Sequence, residues 1–166
     1  MNKDFKKLEK NLGYSFQKKE TLVKALTHVS KSKENNEVFE FLGDSVLNLI
    51  ISQILVEKFS MDDEGTLSLM RSKLVSRTTL NKIAKKLELD SFIIKGDSLA
   101  GQETPENILG NALEAIFGAV YKESGLEFIQ KIIEITFAKE IELLREGNLK
   151  NSKTCLLYTS DAADED

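Results

Sequence analysis

Three acidic residues lie close together in an otherwise apolar segment. Glu37, Glu40 and Asp44 are spaced at i, i+3 and i+7, which places them within about 60° of one another around an α-helix. Acids in this arrangement often form only a solvated helix face. Because like charges at these spacings repel each other, a partly buried group would need a compensating cation. The pattern leaves both interpretations open.

A second apolar segment carries one further acid. Glu114 is the only charged residue between Glu106 and Lys122, and Asn111 precedes it by about one helical turn. Oxygen ligands on two inner helices that face the same way can bind a hard cation such as Mg²⁺ or Mn²⁺. The alternative is that Glu114 pairs only with a Lys or Arg. Several neighbours are small enough to let another helix approach closely: Gly110, Ala112, Ala115, Gly118 and Ala119.

The pattern of apolar residues predicts an all-α protein. The chain has one proline, Pro105, and its apolar residues recur mostly at helical spacing. We expect about seven to nine helices. The segment 38–59 is apolar nearly all round in its middle, which predicts a central, buried helix. The last helix is expected to begin at Leu126 and to end at Gly147.

The overall composition is that of a globular protein. The chain has 166 residues, of which 41% are hydrophobic and 30% are charged, and it can bury a core as one domain. We see no uninterrupted apolar run long enough for a membrane span and no signal-peptide pattern. The lone cysteine, Cys155, favours a reducing cytoplasm. No Cys/His cluster, P-loop or dinucleotide motif is present.

The last twelve residues, 155–166, differ in character from the rest of the chain. They follow no helical or strand period and resemble the translation of a transposon-type sequencing adapter. We therefore expect a foreign, disordered tail, the alternative being an ordinary acidic terminus. Without the tail's four acids, the net charge of −4 becomes zero, with 23 basic and 23 acidic residues. The mild acidity of the whole chain thus gives no argument against a nucleic-acid partner.

Four segments resemble motifs of the ribonuclease III family. Residues 37–45 match seven of nine positions of the family's hallmark Glu-Arg-Leu-Glu-Phe-Leu-Gly-Asp-Ser, including every acidic position. Residues 25–28, 64–68 and 113–121 resemble its Ala-Leu-Thr-His element, its Glu-Gly-x-Leu-Ser turn and its second acidic motif. The resemblance implies an endonuclease domain over residues 1–147. Residues 148–154 resemble the start of a linker to a double-stranded-RNA-binding domain that is missing here.

The resemblance also implies an activity and a set of site residues. The family's helical domain dimerises and cuts double-stranded RNA with Mg²⁺, or Mn²⁺ as a substitute, leaving 5′-phosphate and 3′-hydroxyl ends. Carried over by position, the metal ligands are Glu40, Asp44, Asn111 and Glu114, with Asp44 and Glu114 catalytic. The position of Asn111 is commonly an aspartate, so a weaker or differently balanced metal site is expected.

Further residues are implied at the edge of the cleft and in the dimer. Glu37 and Glu64 match acids that the family places toward substrate and partner subunit, and Phe41 matches an aromatic residue at the dimer interface. The basic residues that we prefer as RNA contacts are Arg71, Lys73 and Arg77, although a solvated basic face explains them equally well.

Two other functions are compatible with the same segments. A non-catalytic RNA-binding or ribosome-associated module could share the fold, and Asn111 is the one residue that favours it. A purely structural helical domain would leave the inward-facing acids unexplained. The expected role is RNA processing in the cytoplasm, on ribosomal precursor, messenger or small RNA.

Overall fold

The prediction of an all-α fold is confirmed. The structure is a computed structural model that describes residues 4–161, with side chains described as far as residue 147. Over these residues it contains seven α-helices, two single-turn 3₁₀ helices at Leu89–Ser91 and Asp97–Leu99, and no strand. The α-helices are α1 (Lys6–Leu12), α2 (Lys19–Leu26), α3 (Glu37–Lys58), α4 (Glu64–Leu74), α5 (Arg77–Lys86), α6 (Glu106–Ser124) and α7 (Leu126–Asp161).

The centre of the bundle is α6. Eleven of its 19 residues are buried, and α2, α3, α5 and α7 all pack against it. The largest fully buried side chains of the core include Phe117 on α6 and Phe137 on α7, whose ring centroids lie 6.3 Å apart. A helix enclosed on most sides holds its few polar residues in fixed positions, so α6 is a rigid support for Asn111 and Glu114.

The prediction that α3 is the central buried helix is wrong in one respect. Seven of its 22 residues are buried, but a second set of apolar side chains on α3 is exposed: Val38, Phe41, Leu49 and Val56. The length and hydropathy of α3 would also suit a membrane-crossing helix, yet its inner side packs in the bundle as a core helix does. Apolar composition alone does not distinguish a side that faces the core from one left for another molecule.

The two helices α3 and α6 cross in backbone contact at a pair of glycines. A Cβ added to Gly43 would lie 1.7 Å from the carbonyl oxygen of Glu114, and a Cβ added to Gly118 would lie 2.1 Å from that of Phe39. These obstacles are main-chain atoms, which cannot turn aside as a side chain can. Since Gly43 lies between Glu40 and Asp44 in the sequence, the crossing brings the acids of α3 beside Glu114.

The helices α4 and α5 are started by side-chain caps. The carboxylate of Asp63 accepts a hydrogen bond of 2.8 Å from the backbone N–H of Thr66, and the hydroxyl of Ser76 accepts one of 3.3 Å from that of Thr79. Such caps satisfy backbone N–H groups that a helix leaves unpaired at its first turn. They fix Glu64 and Arg77 as the first residues of α4 and α5.

The expected end of the last helix at Gly147 is wrong. The helix α7 continues through Gly147 to Asp161, so residues 155–161 are helical rather than without regular structure. A glycine costs a helix only about 1 kcal/mol relative to alanine, and no proline follows to stop it. The rest of the expected tail, 162–166, lies outside the described residues, and the foreign origin of the tail stays a prediction.

The glycine crossing can be tested by adding a single methyl group. We expect Gly43→Ala to lower the free energy of unfolding by about 3 kcal/mol or more, because the new Cβ meets main chain that must move. The measurement is urea unfolding followed by circular dichroism.

The matched control is Gly147→Ala in α7, where an added Cβ meets no atom within 4 Å. This variant should be stabilised by about 0.5–1 kcal/mol through helix propensity alone. If the two substitutions changed the free energy of unfolding by the same amount, the close contact at Gly43 would not be what makes its substitution costly.

Candidate metal centre

The first acids of the site lie in the opening turn of α3. The side-chain oxygen of Asn35 accepts a hydrogen bond of 3.0 Å from the backbone N–H of Glu37 and thereby caps the helix start. Glu37 and Glu40 follow in the first turn, where the partial positive charge of the helix N-terminus favours carboxylates. Glu37 is exposed, whereas Glu40 is half-buried toward α6.

Four of the predicted site residues come together where α3 crosses α6. The side chain of Asn111 donates a hydrogen bond to the carboxylate of Glu40. Glu114, one turn further along α6, interacts electrostatically with both Asp44 and Glu40. The structure thus gathers Glu40, Asp44, Asn111 and Glu114 at one site, and Glu37 also acts on Glu40 from the edge.

The electrostatics of this cluster show an excess of negative charge. Burial, together with the charges of Asp44 and Glu40, raises the pKa of Glu114 from 4.5 to about 7, whereas the charge of Arg77 opposes the shift. Burial also raises the pKa of Glu40, as do the charges of Glu37 and Asp44, while the hydrogen bond from Asn111 lowers it. A cation between these groups would relieve the repulsion that these raised pKa values express.

The donor atoms fit a hard divalent cation. Carboxylate oxygens and an amide oxygen are the ligands that Mg²⁺ and Mn²⁺ prefer, and the half-buried Glu114 gains most from a neutralising charge. Among the side chains of residues 4–147, no three Asp, Glu, His or Cys groups are already arranged around a metal position. Repulsion among the carboxylates opposes such an arrangement until a cation is present, so side-chain adjustment is expected on binding.

Glu64 lies in a different part of the structure from this cluster. Its carboxylate accepts a hydrogen bond of 2.9 Å from the hydroxyl of Ser68. It lines a pocket of about 290 Å³ between α3 and α4 together with Ser52 and Val56. Ser52 is two turns beyond Asp44 on α3, or about 12 Å along the helix axis. Glu64 therefore lies beside the part of α3 around Ser52, away from the part that carries Glu40 and Asp44.

The three basic residues predicted to contact RNA lie in different surroundings. The guanidinium of Arg71 donates a hydrogen bond of 2.9 Å to the hydroxyl of Ser52 and lines the same pocket as Glu64. Lys73 is exposed near the end of α4, and Arg77 is exposed at the start of α5. Among the three, Arg77 is the one whose charge acts on Glu114, which puts it beside the acidic cluster.

One residue near the site was missed by the sequence analysis. The side-chain amide of Asn48 donates to the Oδ1 atom of Asp44 at 3.0 Å and to the backbone oxygen of the same residue at 2.9 Å. The signal was present, because Asn48 follows Asp44 by four residues and shares its side of the helix.

Comparison with known proteins identifies the family. Residues 18–141 match the family model described as Ribonuclease-III-like. The chain belongs to the ribonuclease III family. It is 46% identical over 122 residues to Ribonuclease 3 of Francisella tularensis subsp. novicida, an alignment that covers 74% of this chain and 53% of that protein. The chain thus spans about half the length of this relative.

Solved structures agree with the ribonuclease III assignment. The nuclease domain of ribonuclease III from Campylobacter jejuni superposes with a TM-score of 0.79 at 42% identity, covering 83% of this chain and 96% of that one. A second structure of that domain, concerned with structural flexibility in a region involved in dimer formation, gives 0.76 at 43% identity and covers 81% and 99%. The helical domain described above is therefore a ribonuclease III nuclease domain in fold.

The raised pKa of Glu114 predicts how stability depends on pH in EDTA-treated protein. Between the ordinary value of 4.5 and about 7, the folded state keeps a proton that the unfolded chain has lost, so stability falls as pH rises through this window. We expect the urea midpoint of the wild type to fall between about pH 5 and about pH 8, and we expect a smaller fall in Glu114→Gln.

The measurement at low pH is the control for the comparison of the wild type with Glu114→Gln. At about pH 5 the wild-type side chain is already neutral, so the two proteins should have similar midpoints there and diverge only at higher pH. If Glu114→Gln lost as much stability with rising pH as the wild type, Glu114 would not be the group that titrates.

Proposed function

We propose that this domain is a metal-dependent endoribonuclease that cleaves double-stranded RNA to 5′-phosphate and 3′-hydroxyl ends. The observation that carries the proposal is the cluster of Glu40, Asp44 and Glu114 with the amide of Asn111 at the α3–α6 crossing. Membership of the ribonuclease III family supports it, as does the similarity to proteins named Ribonuclease 3.

The proposed chemistry assigns a role to each clustered side chain. Glu40, Asp44 and Glu114 would hold Mg²⁺ or Mn²⁺, with the amide oxygen of Asn111 as a weaker neutral donor. A bound divalent ion lowers the pKa of water and stabilises negative charge on a phosphate undergoing hydrolysis. Asn111 also keeps Glu40 in place through its hydrogen bond. Asp44 and Glu114, whose charges interact across the two helices, would mark the position at which a phosphodiester is cut.

Recognition of the substrate would depend on phosphates and on shape. Duplex RNA in the A form is read mainly through its groove dimensions, 2′-hydroxyls and phosphates. Arg77 lies beside the acidic cluster, and Lys73, four residues before it, is exposed. These two side chains could contact RNA phosphates close to the cleaved bond. Arg71 is engaged with Ser52, and a role in RNA binding would require it to leave that partner. Glu37 would lie at the edge of the cleft.

We propose that two copies of the domain associate through the exposed side of α3. Phe41 is 78% exposed although it is a large aromatic residue, and Val38, Leu49 and Val56 extend the apolar surface along the same helix. The pocket of about 290 Å³ between α3 and α4 opens beside Val56 and offers a place for a side chain of a second copy. The Campylobacter jejuni domain, with its region involved in dimer formation, supports association of two copies, whereas the choice of α3 rests on its exposed apolar residues.

A second candidate function is favoured by one residue. Asn111 stands where a further carboxylate is expected, and a non-catalytic RNA-binding module of the same fold would tolerate such a loss. The proposed setting for either function is RNA processing in the cytoplasm, on ribosomal precursor, messenger or small RNA. Cleavage assays separate the two, because the binding module would retain duplex RNA without cutting it.

The nuclease proposal is tested with end-labelled duplex RNA and the purified chain. We expect cleavage in Mg²⁺, none in EDTA, and a loss of about 100-fold or more in Glu114→Ala, because that variant lacks a group that stabilises charge at the reacting phosphate. Ligation of the fragments without prior phosphorylation would verify the 5′-phosphate.

The matched control is Glu57→Gln, an exposed acid on the same helix as Asp44 whose carboxylate accepts a hydrogen bond from Gln53. This variant should cut at the wild-type rate. Unchanged cleavage by Glu114→Ala in Mg²⁺ would count decisively against the assigned site.

The proposed dimer is tested by light scattering coupled to size exclusion. The wild type should have about twice the 18.7 kDa mass of one chain, and Phe41→Ala should shift the distribution toward that monomer mass, because the substitution removes a large apolar contact from the interface.

The control for the dimer is Ile135→Ala on α7, since Ile135 is also 78% exposed but lies on another helix. Its mass should match that of the wild type. A wild-type chain that stays monomeric at all concentrations tested would refute the proposed association.

A further inference from the structure

The carboxylate of Asp44 is held by a neutral side chain whose function is otherwise unexplained. Asn48 lies one turn after Asp44 on α3, and its Nδ2 atom is 3.0 Å from Oδ1 of Asp44 and 2.9 Å from the Asp44 backbone oxygen. An amide NH₂ group has two hydrogens, and here both have acceptors in the same residue. The amide is therefore fixed to the backbone while it holds one carboxylate oxygen.

This arrangement matters because Asp44 itself is exposed. An exposed aspartate samples several rotamers, and only some of them aim an oxygen at Glu114 across the helix crossing. The hydrogen bond from Asn48 restricts the Asp44 side chain to the rotamers that keep its Oδ1 atom in contact with the Asn48 amide. The second oxygen, Oδ2, and the remaining lone pair of Oδ1 stay available to a cation.

The chemical nature of the donor also fits a role beside a cation. Lys or Arg at the same position would restrain Asp44 equally well, but the added positive charge would compete with a divalent ion. An amide provides the hydrogen bond without that charge. The amide of Asn111 likewise stabilises the charged form of Glu40, so each of the two α3 carboxylates in the cluster interacts with an uncharged amide.

We propose that Asn48 is a positioning residue that preorganises Asp44 to bind a divalent cation. The inference rests on the proposed metal site, and it concerns the orientation of a ligand rather than the chemistry of cleavage. Hydrogen bonds to metal-binding carboxylates commonly improve metal affinity by about 10–100-fold. The lower end of that range is expected here because Asp44 is solvent-exposed.

The test measures Mn²⁺ binding by isothermal titration calorimetry, without RNA, on the EDTA-treated and dialysed full chain. We expect Asn48→Ala to bind Mn²⁺ about 10-fold more weakly than the wild type. Its melting temperature without metal should not fall, because alanine is the better helix former. Asn48→Gln keeps an amide donor on the same side of the helix and should lose less affinity.

The control is Gln53→Ala on the same helix. The side chain of Gln53 donates to Glu57 at 3.0 Å, so this variant also removes an amide–carboxylate hydrogen bond between residues four apart, but away from the cluster. Its Mn²⁺ affinity should equal that of the wild type. An equal loss in Gln53→Ala would overturn the inference, since the effect would then belong to the helix and not to Asp44.

The outcomes separate this inference from the proposed function. If the wild type binds Mn²⁺ and Asn48→Ala binds it within twofold, the positioning role is refuted and the metal site stands. If the wild type binds no Mn²⁺, the proposed metal site fails and the inference fails with it. Weaker binding confined to the Asn48 variants, with unchanged melting temperatures, supports the positioning role.

Discussion

The candidate site depends on one backbone contact between α3 and α6. Gly43 and Gly118 let the two helices approach until main-chain atoms touch, and no side chain longer than hydrogen fits there. All four clustered residues lie within about two turns of these glycines, so their mutual positions follow from the crossing. The rest of the bundle supports this contact, with α2, α5 and α7 packing around α6 and keeping it in place.

The same contact imposes an electrostatic cost. It brings three carboxylates together near a helix that is enclosed by apolar side chains, and the raised pKa of Glu114 and of Glu40 records that cost. Three features reduce it, namely the positive end of α3, the nearby Arg77 and the two uncharged amides. With two amides and one guanidinium near the carboxylates, the cation-free protein loses less stability to charge repulsion than it would with carboxylates alone.

Much of this site follows from local patterns, and the remainder depends on tertiary packing. The spacing of Glu37, Glu40 and Asp44 follows from helix geometry, and the isolation of Glu114 in an apolar helix marks it as unusual. The contact between Gly43 and Glu114 joins residues 71 positions apart in the sequence, and no local pattern specifies it. Periodicity alone also failed to predict the exposed side of α3, where only the resemblance indicated an exposed Phe41, because an exposed apolar surface has the same composition as a core.

The raised pKa of Glu114 has a consequence for how the proposed divalent ion would bind. Near neutral pH a fraction of the folded molecules carries a proton on this carboxyl group, and that proton offsets part of the local charge in the way a cation would. An incoming divalent ion would displace it, so binding would be a proton–cation exchange whose apparent affinity increases with pH. A newly made chain could thus complete its folding before the proposed ion binds.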